Sequence, residues 1–192
     1  MDKNGILETL ERFVLQAMGE NDPAHDGAHV KRVVSLTREL LKAYPRADSF
    51  RAELLAWLHD LNDDKLAHCT GTDSIAAFLR AEGVGTEEID FVCSALPYIS
   101  FRKHPKLAAE TAIEICIVQD ADRLDAMGAV GIARTFAFGG AKGRPLEESL
   151  AHFEEKLLRL AGLLNTPEAR ELAKPRQALL ETFYCQYKLE TE

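Results

Sequence analysis

Between Leu58 and Lys65 the chain reads Leu58-His59-Asp60-Leu61-Asn62-Asp63-Asp64-Lys65, and an apolar helix carrying Leu54, Leu55, Trp57 and Leu58 leads straight into it. A helix that carries its apolar face up to an adjacent His-Asp pair aims polar groups at the interior. Such groups cost free energy unless they are paired or bind a metal. An imidazole nitrogen beside a carboxylate oxygen suits zinc, manganese, iron, nickel or cobalt. Neighbours on a helix point about 100° apart, so both reach one ion only if it lies close to the helix flank. The plainer alternative is a hydrogen-bonded histidine near a helix C-terminus, with Asp60 capping the next turn.

Two further stretches bear on that choice. His29 opens a helix whose core face is Val33, Val34, Thr37 and Leu40, and His25 lies one turn earlier at a spacing that can share a metal. Asp26 between them reads equally well as an N-cap. Downstream, an apolar helix ends in Asp120-Ala121-Asp122-Arg123-Leu124-Asp125 instead of solvating gradually. Asp122 continues the stripe of Ile115 and Val118, which points its carboxylate inward. For Asp120 and Asp125 a hydrated helix end with capping carboxylates is a reasonable reading.

The elements that must position these groups are all helical. Apolar residues recur at helical spacing over residues 5–19, then from 29 to 41. Asp48 or Ser49 can cap the helix that runs into His59. Thr72-Asp73 and Thr86-Glu87-Glu88 start two more, the second broken at Pro97. Tyr98 to Pro105 reads as a basic, aromatic loop, and a long helix is expected from Lys106 into the aspartates. Glycines at 128, 131, 139, 140 and 143 are expected to loosen the chain, with 139–145 as the best linker candidate. One helix over 146–164 and another from Thr166-Pro167-Glu168 finish it, the latter kinked or divided at Pro175. No period-2 run bounded by turn signals occurs. The fold class is all-α.

Composition narrows the function classes. The 192 residues, 46% hydrophobic and 28% charged, fit one domain over 1–192 with a substantial core, the C-terminal helices of about 146–189 packing on it. No apolar run approaches the length of a membrane span. Met1-Asp2-Lys3-Asn4-Gly5 lacks the form of a secretion signal. Four cysteines, widely spaced and without a CxxC, suggest neither a zinc knuckle nor a disulfide framework, so a reduced, cytoplasmic protein is expected. A net charge of -8 argues against a sequence-independent nucleic-acid coat, which needs a basic surface. It leaves room for a small anionic substrate, because a divalent cation and a few basic residues reverse the field inside one cleft.

His29, His59-Asp60 and Asp122 within Ala121-Asp122-Arg123-Leu124 resemble the H…HD…D signature of the HD-domain metal-dependent phosphohydrolases. The stretches 24–33, 118–126, 128–136 and 152–158 resemble one bacterial subgroup, the YpgQ/YedJ-like proteins, over most of residues 5–189. The resemblance implies an HD-domain helical bundle with its metal site between central helices. It implies one divalent ion held by His29, His59, Asp60 and Asp122, with Mn2+ favoured and Mg2+, Ni2+, Co2+, Fe2+ or Zn2+ possible. The activity it implies is hydrolysis of (deoxy)nucleoside triphosphates to monophosphate and pyrophosphate. Two departures are Pro175 and Arg102-Lys103, which replace a straight helical segment and a usually smaller, more polar continuation.

Around that ligand set, Asp63 and Asp64 are placed to take or orient the proton of an attacking water, Asp63 first because it lies four residues after His59. Lys65, His25, Arg102, Arg123 and Arg134 are the candidate phosphate contacts, with Arg123 alternatively pairing with Asp120. The partner expected is a small nucleotide or other phosphate ester, and a homodimer is compatible with the sequence. A 5′-nucleotidase or phosphodiesterase on the same site is the alternative activity. A nucleotide-binding regulatory domain without turnover, or a di-iron oxygenase, would use the same fold.

Overall fold

A computed structural model describes residues 2–18, 27–61, 71–99 and 106–191. Among these residues there are nine α-helices and one 3-10 segment, and no strand. Two helices form the centre. The first, α3 (Ser49–Leu58), buries Phe50, Ala52 and every residue from Leu54 to Leu58. The other, α6 (Ile113–Asp125), buries nine of its thirteen residues, polar ones among them. A helix that is apolar nearly all round belongs inside a protein. Each of the buried leucines 54, 55 and 58 contributes about 1.5–3 kcal/mol on leaving water.

The other helices enclose this pair. On one side α2 (Gly27–Leu41) packs on both α3 and α6, and α1 (Lys3–Met18) covers α3. α5 (Thr86–Ile99) also contacts both central helices, with α4 (Thr72–Ala81) outside it. α7 (Gly128–Ala141), α8 (Leu146–Glu155), the 3-10 segment Leu157–Leu163 and α9 (Pro167–Thr191) form the remaining layer, which reaches α6 through α7 and α9. None of the described helices is long and apolar enough to cross a membrane.

Local chemistry sets the start of α3. The Asp48 carboxylate accepts from the N–H groups of Phe50 (3.0 Å) and Arg51 (3.1 Å), as an N-cap must. Its own N–H donates to Glu114 (2.7 Å), which ties the first turn of α6 to the same point. Both central helices thus begin from one anchor and run to their C-terminal ends, where the candidate ligands stand.

Five expectations change. Residues 106–112 are not helical; Ala112 is extended and α6 starts after it. The glycine-rich stretch is helix α7 rather than a loosened segment. Gly139 serves close approach, since a Cβ there would lie 2.2 Å from Ser149 Oγ of α8. Gly128 takes φ +67° where α6 turns into α7, a conformation natural only to glycine. Helix 146–164 divides at Lys156, whose φ of -133° leaves the helical region and shortens α8. Pro97 and Pro175 lie inside α5 and α9 without ending them. Both prolines face solvent, so the helices lose one internal bond each but no packing. Tyr98 consequently belongs to α5, not to a loop.

Candidate metal centre

Four polar side chains from three helices converge beside the ends of α3 and α6. His29 stands in the first turn of α2, His59 and Asp60 at the C-terminal end of α3, and Asp122 in the last turn of α6. His29 Nε2 lies 3.3 Å from His59 Nε2, 3.3 Å from Asp60 Oδ2 and 3.5 Å from Asp122 Oδ1. His59 Nε2 is 3.4 Å from Asp60 Oδ1 and 3.9 Å from Asp122 Oδ1. Both histidine side chains are 2% exposed, whereas Asp60 is 14% and Asp122 27% exposed, so the cluster opens on its carboxylate side.

The other ring nitrogens are already engaged. His59 Nδ1 lies 2.8 Å from the Ala56 carbonyl and so donates to it. His29 Nδ1 lies 2.7 Å from Asp125 Oδ2 and donates there. With both Nδ1 atoms protonated, each ring turns its Nε2 toward the other and toward two carboxylates.

This donor set fits a divalent ion. Ligands sharing one ion at bond lengths of about 2.0–2.2 Å stand roughly 3–3.5 Å apart, close to the spacing found. Ligand atoms of His29, His59 and Asp122 all lie within 4.8 Å of one another. The surrounding field points the same way. Helix C-termini carry partial negative charge and disfavour carboxylates. Here Asp60 and Asp122 gather where two helices end, an arrangement that calls for cations. In the metal-free protein a proton answers that call. Burial alone would lower the His29 pKa, but Asp125 and Asp60 accept from the ring and the charges of Asp60 and Asp122 add to them, lifting it to about 9.

Asp125 is 2% exposed and accepts from three cationic groups. Besides His29, Arg32 Nε donates to Oδ1 (2.6 Å), and Arg32 and Arg134 donate to Oδ2 at 3.2 and 2.6 Å. Burial would raise this carboxyl, yet these donors and the charges of His29 and Arg134 hold it below the usual carboxylate range. The expectation of a hydrated cap at Asp125 is thus corrected, and so is the one for Asp120, which is fully buried. Asp120 accepts from the Asn165 N–H and amide (2.8 and 2.9 Å) and from the Thr166 N–H and hydroxyl (2.8 and 2.7 Å). Of the three aspartates, the candidate ligand Asp122 is the least buried.

Among the remaining candidates, Arg123 is 2% exposed, donates to the Leu163 carbonyl and lies in the field of Asp120. Its guanidinium is buried between α6 and the 3-10 segment and engaged there by the Leu163 carbonyl. Arg134 lies at the site, but against Asp125. His25, Asp63, Asp64, Lys65 and Arg102 lie outside the described residues. Sequence reasoning passed over Arg32 and the bond from Asp125 to His29. Arg32 is three residues after His29 on α2, and that spacing is the only signal the sequence carried.

No family model matches the chain. It is 41% identical over 186 residues to YpgQ of Bacillus subtilis, which covers 93% of this chain and 90% of that protein. The crystal structure of B. subtilis YpgQ superposes with a TM-score of 0.86 at 36% identity, over 99% of this chain and 97% of that one. The structure of YpgQ in complex with ADP gives 0.81 at 36% identity, over 96% and 97%. An HD-superfamily hydrolase from Bacillus thuringiensis gives 0.78 at 36% identity, over 98% of each chain. The chain belongs to the HD-domain family, among the YpgQ-like proteins.

Proposed function

We propose that the protein is a metal-dependent phosphohydrolase and, more narrowly, a nucleotide pyrophosphohydrolase that releases pyrophosphate from (deoxy)nucleoside triphosphates. The observation that carries this is the convergence of His29, His59, Asp60 and Asp122 from three helices on one point. Those four residues would hold one divalent ion. Two imidazole nitrogens in the set favour Mn2+, Fe2+, Co2+, Ni2+ or Zn2+ over Mg2+, which prefers oxygen and water; Mn2+ is our choice among them. Such an ion supplies Lewis acidity, which neutralises phosphate charge and lowers the pKa of water.

The chain's own residues do the rest. His29 and His59, with their Nδ1 protons committed, keep fixed tautomers through the reaction. Asp63 and Asp64, the next carboxylates after the ligands in sequence, take up the proton of the attacking water, Asp63 first. Lys65, His25 and Arg102 bind phosphate oxygens. A nucleotide substrate is supported by the ADP held in the crystal structure of B. subtilis YpgQ.

The test is to strip the protein of metal, restore Mn2+, Mg2+, Ni2+ or Fe2+, and resolve the products from a panel of nucleoside triphosphates. Monophosphate plus pyrophosphate, with Mn2+ most effective, is expected. Orthophosphate alone would replace the pyrophosphohydrolase by a phosphatase. Nucleotide binding without turnover under every metal would remove the enzyme claim.

A further inference from the structure

We infer that Asp125 is a positioning residue for the metal ligand His29, and that Arg32 and Arg134 hold it in that task. The inference rests on the metal centre proposed above. The two imidazoles reach that centre by different means. His59 is held by the Ala56 carbonyl of its own helix, three residues back, so the fold of α3 alone aims it. His29 is held from another helix. Its Nδ1 is held across the interface by Asp125, 96 residues away, at 2.7 Å.

The connections close on themselves. α2 supplies the ligand His29 and, three residues later, Arg32. α6 supplies the ligand Asp122 and, three residues later, Asp125. Arg32 binds both oxygens of Asp125 (2.6 and 3.2 Å), so each helix gives one ligand and one half of the clamp. α7 adds Arg134 at 2.6 Å. With Oδ1 on Arg32 and Oδ2 shared among His29, Arg32 and Arg134, rotation of the carboxylate would break several charged bonds at once. The His29 ring is therefore fixed in orientation. It is also made a stronger donor, since a carboxylate behind an imidazole raises its basicity while a carbonyl does so less. Asp125 touches neither substrate nor metal in this role.

The experiment measures Mn2+ binding to the full chain by calorimetric titration, and the ligand-field absorption of the Co2+-loaded protein. Variants are Asp125→Asn, Asp120→Asn as a control of similar burial on the same helix, and the Arg32→Ala, Arg134→Ala double variant. Asp125→Asn is expected to weaken Mn2+ binding by about 10–100-fold and to shift the Co2+ bands. Asp120→Asn is expected to lower the melting temperature while leaving affinity and spectrum as in the unaltered protein. Unchanged affinity and spectrum in a folded Asp125→Asn overturns the inference and leaves the metal centre standing. An unaltered protein that binds no Mn2+ overturns the metal centre itself. Should Asp125→Asn not fold, the double variant decides: weaker binding sustains the clamp, and unchanged binding overturns it.

Discussion

Asp120 and Asp125 leave α6 five residues apart, both buried, and each accepts four hydrogen bonds. Their surroundings differ in the charge of the donors. Asp120 meets the neutral groups of Asn165 and Thr166, and Asp125 meets His29, Arg32 and Arg134. Burial dominates at Asp120, so its pKa is raised despite those bonds; at Asp125 the cationic donors outweigh burial and the pKa is lowered. The Asp120 network is closed. Thr166, which it holds, caps α9 through a bond from the Ala169 N–H (3.3 Å), so this carboxylate anchors a helix. The Asp125 network is open at one end, because it passes through His29 to a cluster of lone pairs that wants a cation. Four hydrogen bonds do not by themselves mark a structural role; where the chain of bonds terminates does.

The comparison breaks most visibly at Asp122. Asp122→Ala is expected to weaken Mn2+ retention by roughly 100-fold or more, beyond the effect of losing a residue behind a ligand. Metal analysis after gel filtration reads this. Because Asp122 is partly exposed, the metal-free variant should unfold within about 0.5 kcal/mol of the unaltered protein. A large loss of stability would place Asp122 with the anchors instead.

Asp120→Ala should do the reverse. It strips a charged acceptor from four donors, each such bond being worth about 1.5–3 kcal/mol, and after relaxation a total loss of about 3–5 kcal/mol in urea unfolding is expected. Mn2+ stoichiometry in the folded fraction should stay at the unaltered value. Loss of metal at unchanged stability would merge the two regions.

Much of this was legible beforehand, for reasons that also explain the misses. Helical periodicity, the Asp48 cap and the convergence of His29, His59-Asp60 and Asp122 are local patterns or a recognisable signature, and the fold and family follow from them. Asp120 and Asp125 were misjudged because a helix end that meets water and one buried by α2 and α9 look alike in one dimension. Arg32 sat on the right face of α2 but had no visible reason to point at a carboxylate 93 residues on. The glycines of α7 read as looseness in one dimension, whereas Gly139 lets α8 approach. In each case the deciding contact is tertiary.

The smallest of the three effects separates the open network from the closed one by pH alone. In the metal-free protein His29 has a folded-state pKa of about 9, above its unfolded value of 6.5. Its proton therefore stabilises the fold fully below pH 6.5, and that contribution is lost as pH rises through about 9. Complete loss amounts to at most about 3.4 kcal/mol. Asp125, held low, stays ionised across this window and adds no slope of its own. Urea unfolding of stripped protein should accordingly weaken between pH 6.5 and 9.5. A His29→Gln variant should be flatter over the same range, and saturating Mn2+ should remove the slope by taking the proton's place. A flat profile for the stripped, unaltered protein would mean that no proton occupies the cluster, and that its lone pairs are relieved without a cation.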